Sequence, residues 1–196
     1  MSKNIYFFGD SICFGQYVSV EKTFVHRIAK YINSKVGNDY CFMNPSIINN
    51  TTQDALQRLH HDVLFRNPDY VYIQFGLNDC NVWADRKEQP RVSKELFRNN
   101  LTEIVNLCKV FGAKVLIGNN HPTNKNPVYD DLAAYYNALI LNVANKNGIA
   151  MVHNYSACEN YREYNEHLLP DGIHLSEIGH ELYAYNISEE LIKILE

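Results

Sequence analysis

Five short apolar runs are spread along the chain: IYFF (5–8), YCFM (40–43), YVYIQF (70–75), KVLIG (114–118) and IAMV (149–152). None is long enough for a helix, and none alternates cleanly between apolar and polar residues. Continuous apolar stretches of this length fit strands buried on both faces of a parallel sheet. Between them apolar residues recur at helical spacing. Phe24, Ile28 and Ile32 follow the first run, and Leu56, Leu59 and Val63 follow the second, with Pro68 closing that region. Phe97, Leu101, Ile104, Cys108 and Phe111 form a third stripe; Leu132, Tyr136, Leu139 and Val143 a fourth; Ala184, Ile187, Leu191 and Ile194 a fifth. Each stripe puts one apolar face on a helix, as helices packed on a sheet require. The βαβαβαβαβα order predicts a right-handed, doubly wound, three-layer α/β/α domain with a five-stranded parallel sheet.

With 196 residues the chain can bury a sizeable core without disulfides or metals, and one domain spanning 1–196 is expected. The formal net charge of -4 and the lack of a Lys/Arg cluster argue against a nucleic-acid partner. No apolar stretch reaches the ~18 residues of a membrane span. The N-terminus passes directly into the first strand run with no signal-peptide core, so a cytoplasmic location is expected. The five cysteines, Cys13, Cys41, Cys80, Cys108 and Cys158, are odd in number and contain no CxxC pair, which reads as free thiols in a reducing compartment.

Two long irregular pieces, 119–130 and 153–172, follow strands and should lie at the carboxyl edge of the sheet, where open α/β folds bind ligands. Three shorter stretches fall near the same edge. Gly9-Asp10-Ser11 ends the first strand, NPSIINNTTQ (44–53) follows the second, and FGLNDCNVW (75–83) follows the third. A fourth, DGIHLSEIGH (171–180), precedes the last helix, and its Asp171 and His174 are three apart, close enough for a carboxylate to reach the imidazole. Acyl transfer needs a hydroxyl, a base to take its proton, an anion to fix that base, and donors aimed at the developing oxyanion. Asn78 offers an uncharged side-chain amide at a strand tip, and backbone N–H groups at Ser11 and near Asn49 could complete the set.

Gly9-Asp10-Ser11, the Asn44-to-Thr52 stretch, Gly76-Leu77-Asn78-Asp79 and Asp171-Gly172-Ile173-His174 stand in the order of the four motif blocks of the SGNH hydrolases, also called GDSL esterases and lipases. With the strand and helix alternation, the resemblance covers essentially the whole chain. It implies a flavodoxin-like strand order and ester hydrolysis at the sheet edge. It also implies Ser11 as nucleophile, His174 as base and Asp171 as its orienter. The second block departs from the family's Asn-x-x-x-x-Gly-x-Thr: Asn49 stands at the glycine whose N–H belongs to the oxyanion hole. A backbone donor survives that change, and Asn is the non-glycine residue most tolerant of left-handed φ/ψ. The expected hole is therefore the N–H groups of Ser11 and Asn49 with the Asn78 amide.

Other residues read more plainly. Asp10 and Asp79 are expected to structure their turns. Cys13 and Cys80 lie beside motifs without a base and read as packing residues. His60-His61-Asp62 sits on a predicted helix, where neighbours diverge too far to share a metal, and no metal or other cofactor is expected. His121, in the loop after the fourth strand, and Trp83, close to Asn78, are candidates for the substrate rim. The tyrosines of 155–164 fit a carbohydrate-stacking role less well than coincidence in a Tyr-rich chain. The leading expectation is a serine esterase for small short-chain acyl esters, with O-acetyl groups on a carbohydrate as one substrate class. An acyltransferase or thioesterase on the same residues is the alternative, and a non-catalytic ligand-binding domain a third reading. Nucleotide binding is disfavoured because no glycine-rich phosphate loop follows the first strand.

Overall fold

The structure, a computed structural model, describes residues 2–37, 39–83, 89–159 and 164–195. Five strands, β1 (Lys3–Gly9), β2 (Tyr40–Met43), β3 (Tyr70–Gln74), β4 (Lys114–Gly118) and β5 (Ala150–Val152), form one sheet in the order β2-β1-β3-β4-β5. All pairs are parallel. This is the doubly wound α/β arrangement and the flavodoxin-like order expected from the sequence. The helices are α1 (Ser11–Phe14), α2 (Phe24–Lys35), α3 (Thr52–Asp62), α4 (Lys94–Val110), α5 (Pro127–Asn147), α6 (Asn154–Glu159) and α7 (Glu177–Leu195). Helix α2 packs against α7 on one face, and α3, α4 and α5 pack in series on the other.

Strand β1 shows why its run is apolar without alternation. Phe7 and Phe8 point to opposite faces, as successive strand residues must, and both are fully buried. Phe7 meets Phe24, Phe42 and Tyr72, whereas Phe8 meets Phe75 and the Arg58 guanidinium of α3. Both faces are thus covered, and burying each ring is worth about 2–3 kcal/mol.

Some boundaries differ from the sequence pattern. β1 begins at Lys3, paired with Tyr40, because backbone register extends the strand beyond its buried side chains. Phe111 continues the stripe of α4 by spacing but caps the helix and is 42% exposed. The two pieces read as irregular are partly helical. Asn126 caps α5 by accepting from the Tyr129 N–H, with Pro127 in the first turn, and Asn154 opens the short α6, which is too brief to show a stripe. No described helix is long and apolar enough to cross a membrane.

The chain leaves β1 toward β2 on one side and returns to β3 on the other. The sheet order therefore reverses between β1 and β3, and the carboxyl edge there is the place where open α/β sheets bind ligands. Ser11 follows β1 and Asn78 follows β3.

Candidate active site

Gly9 lets β1 turn sharply into α1. A Cβ there would stand 2.5 Å from the Cys13 Cβ and 2.8 Å from the Gln74 carbonyl oxygen. Asp10 caps α1, its Oδ1 accepting from the Ile12 N–H at 2.9 Å, and this sets Ser11 in the first turn, 7% exposed. Asp10 Oδ2 accepts from Asn78 Nδ2 at 3.3 Å. Asp10 is wholly buried. Burial raises its carboxyl to about 7 against the pull of the Ile12 N–H, and nearby Asp79 adds to the rise. Asp10 and Asp79 are structural, as their turn positions indicated: Asp79 Oδ1 accepts from the Thr52 N–H at 2.9 Å and its hydroxyl at 2.6 Å, tying the third block to α3.

Ser11 Oγ lies 3.0 Å from His174 Nε2, and His174 Nδ1 lies 2.6 Å from Asp171 Oδ2. The other Asp171 oxygen accepts from the N–H groups of Ile173 and His174, both at 2.9 Å. Partial burial would raise the Asp171 carboxyl. The two N–H groups and the imidazole outweigh it and hold the carboxyl below its usual range. With Nδ1 donating to Asp171, Nε2 presents a lone pair to the Ser11 hydroxyl. The Tyr17 ring and the imidazole form a T-shaped pair with centroids 5.2 Å apart, and Tyr17 itself holds φ +71° while 71% exposed.

Asn49 has φ +67°, the left-handed conformation that its place at a glycine position calls for. Among the described residues neither its N–H nor that of Ser11 has a protein acceptor. Asn78 Nδ2 donates to Asn50 O at 3.1 Å as well as to Asp10. The second block is stitched to β1 by Ser46 Oγ donating to Phe7 O and by Ile47 N donating to Gly9 O.

The two rim candidates differ: His121 is buried, and Trp83 is partly exposed. His121 lies beneath the site, fully buried, and is not on the rim. Its Nδ1 is 2.7 Å from the Tyr183 hydroxyl, and its Nε2 is 2.7 Å from Ile173 O. Burial pushes it down to about 3, so it is a neutral imidazole that braces the turn carrying His174. The loop position that suggested exposure is covered by α7. Trp83 is 39% exposed, and one ring face is taken by the Arg91 guanidinium at 4.4 Å. Of the tyrosines in 155–164, Tyr161 lies outside the described residues. His60 and His61 are exposed on α3. All five cysteines are unpaired, and burial raises the thiols of Cys13 and Cys80.

Two arginines absent from the sequence reading support the second block. Arg58 donates to Asn50 Oδ1 and Pro45 O, both at 2.6 Å, and to Gly9 O at 3.3 Å. Arg91 donates to both oxygens of Asn49. Apart from the local i,i+4 pair of Arg58 with Asp62, these contacts form only through the tertiary fold, so no sequence pattern marks them.

A hydroxyl, an imidazole and a carboxylate linked in this order can pass a proton from nucleophile to leaving group, beside free N–H donors suited to an oxyanion. The chain is similar to several known proteins. An arylesterase from Vibrio mimicus is 26% identical over 99% of this chain and 90% of its own. An uncharacterized lipoprotein from Bacillus subtilis is 39% identical over 75 residues, which span 38% of this chain and only 30% of that protein. Among solved structures, a lipase/acylhydrolase from Enterococcus faecalis superposes with TM-score 0.83 at 27% identity, covering 96% of this chain and 95% of that one. An acetylxylan esterase from Geobacillus stearothermophilus shares the fold, with TM-score 0.81 at 19% identity over 96% and 94% of the two chains. The model of the GDSL-like lipase/acylhydrolase family matches residues 7–182, and the chain is a carboxylic ester hydrolase belonging to that family.

Proposed function

We propose that the protein hydrolyses short-chain acyl esters through an acyl-enzyme on Ser11. The observation that carries this reading is the continuous Ser11–His174–Asp171 relay, at 3.0 and 2.6 Å. His174 takes the Ser11 proton as Oγ attacks the ester carbonyl, and Asp171 holds the imidazole in the required tautomer. The N–H groups of Ser11 and Asn49, with the Asn78 amide, receive the oxyanion. The longer 3.3 Å bond from Asn78 to Asp10 is the one that yields to it. His174 then protonates the leaving alcohol, and water, activated by the same imidazole, releases the acid. Short acyl groups, O-acetyl on carbohydrate among them, are supported by the acetylxylan esterase with the same fold and by the arylesterase relative.

The test is hydrolysis of p-nitrophenyl acetate against p-nitrophenyl octanoate by wild type and Ser11→Ala. Turnover of acetate in preference to octanoate, abolished in Ser11→Ala, is the expected result. Equal rates in mutant and wild type on both esters would remove Ser11 from the nucleophile role. A preference for octanoate would remove the short-chain assignment.

A further inference from the structure

Asn49 stands where the family carries glycine, and the structure pairs that departure with a specific contact. Arg91 forks onto Asn49: Nη1 donates to Oδ1 at 2.7 Å and Nη2 to the main-chain oxygen at 3.1 Å. The guanidinium lies over the Trp83 ring at 4.4 Å and reaches Asp54 Oδ2 at 4.0 Å, and its side chain is only 10% exposed. Asp54 is itself fixed, as the partner of Thr51 in the capping box of α3. The backbone of Arg91 is anchored too. Its N–H donates to Asn81 O at 2.9 Å, and the next N–H, of Val92, donates to Asp79 O at 3.1 Å. Arg91 thus joins the turn that carries Asn78 to the turn that carries Asn49.

The fork has a geometric consequence. It anchors two arms of the Asn49 Cα tetrahedron, the carbonyl and the side chain. Chirality then leaves one direction for the third arm, the Cα–N bond, and φ +67° sets the N–H about it. A planar guanidinium with paired donors suits this task, and an ammonium does not. A glycine has no side-chain oxygen to grip and enters the left-handed region freely, so it would not need the support.

We propose that Arg91 is a positioning residue for the oxyanion hole, fixing the left-handed turn at Asn49 so that its N–H faces the reacting carbonyl. The proposal rests on the oxyanion-hole reading above. Trp83 serves here as the wall against which the guanidinium is held.

The experiment is a double-mutant cycle on p-nitrophenyl acetate, with kcat and KM measured for wild type, Arg91→Ala, Asn49→Gly and the double variant. Arg91→Ala is expected to lower kcat about tenfold or more in the wild-type background, with KM within about twofold, since misplacing one donor acts on the transition state. In the Asn49→Gly background the same change should cost less than about twofold, because the glycine has no side-chain oxygen for Nη1 and enters the left-handed region without support. An equal loss in both backgrounds would overturn the proposal, as a purely structural or substrate-contacting arginine would give that result. Should Arg91→Ala fail to fold, Arg91→Lys keeps the charge and lacks the fork, and the same comparison applies. Ser11→Ala, run alongside, separates the two readings. Undiminished turnover in Ser11→Ala sinks the esterase mechanism, whereas an inactive Ser11→Ala with equal losses in the cycle sinks only the role of Arg91.

Discussion

Asp171 commits both carboxylate oxygens, one to the His174 ring and the other to the N–H groups of Ile173 and His174. An amide at this position can keep the N–H contacts through its oxygen. Its NH2 then faces Nδ1 and turns the imidazole to the wrong tautomer. Asp171→Asn should therefore lower kcat on p-nitrophenyl acetate about 100-fold or more, with Tm little changed; kcat near the wild-type value would show that the carboxylate does not orient the base. Strain is local as well. Tyr17 and Asn49 both hold left-handed backbone, at about 1–2 kcal/mol each for an ordinary residue, and both border the site.

Helix α7 carries more than its apolar face. Tyr183, fully packed, offers one hydroxyl to three groups on two residues outside α7. It accepts from the Gln74 amide of β3 and the His121 N–H after β4, and it donates to His121 Nδ1. His121 in turn donates from Nε2 to Ile173 O, so α7 and the sheet jointly brace the turn that presents His174. Tyr183→Phe would leave buried donors and acceptors unpaired. It should destabilise the protein by on the order of 3 kcal/mol in urea denaturation, and kcat should fall with it. Tyr185→Phe, on the exposed side of the same helix, should change stability by less than about 0.5 kcal/mol. Equal effects of the two changes would refute this account of the bracing.

Among the described residues, two buried acids and two buried histidines oppose one another across the molecule. Burial lifts Asp10 from 3.8 to about 7 and Asp79 from 3.8 to about 6. Burial also pushes His121 from 6.5 to about 3 and His180 from 6.5 to about 4. The folded values of the acids lie above the unfolded ones, so their contribution to stability is full below pH 3.8 and is lost as pH rises through 6 to 7. The folded values of the histidines lie below, so theirs is full above pH 6.5 and is lost as pH falls through 4 to 3. Similar losses run in opposite directions over one window, and Tm should vary little between about pH 4 and pH 7. Asp79→Asn removes part of the acid side, so its Tm should climb over that range in calorimetry. A profile parallel to wild type would show that Asp79 does not titrate there.

Apolar runs too short for helices and apolar stripes at helical spacing made the sheet and its helices legible in the sequence, because burial on a sheet requires that periodicity. Gly9-Asp10-Ser11 and Asp171-Gly172-Ile173-His174 were legible for a related reason: a tight turn and a three-residue spacing are local chemistry. The left-handed turn at Asn49 was legible through the family resemblance, since Asn stands at the family's glycine and tolerates that conformation. Exposure and long-range partnership were not local. Helix α7 covers His121 and turns a loop histidine into a buried brace. Arg58 and Arg91 reach the second block from other elements, and nothing near them in sequence marks their targets. The sequence by itself determined the fold class and which residues could form a proton relay. The tertiary structure alone decided which side chains hold that relay and its donors in place, because those contacts join residues brought together only when the helices pack on the sheet.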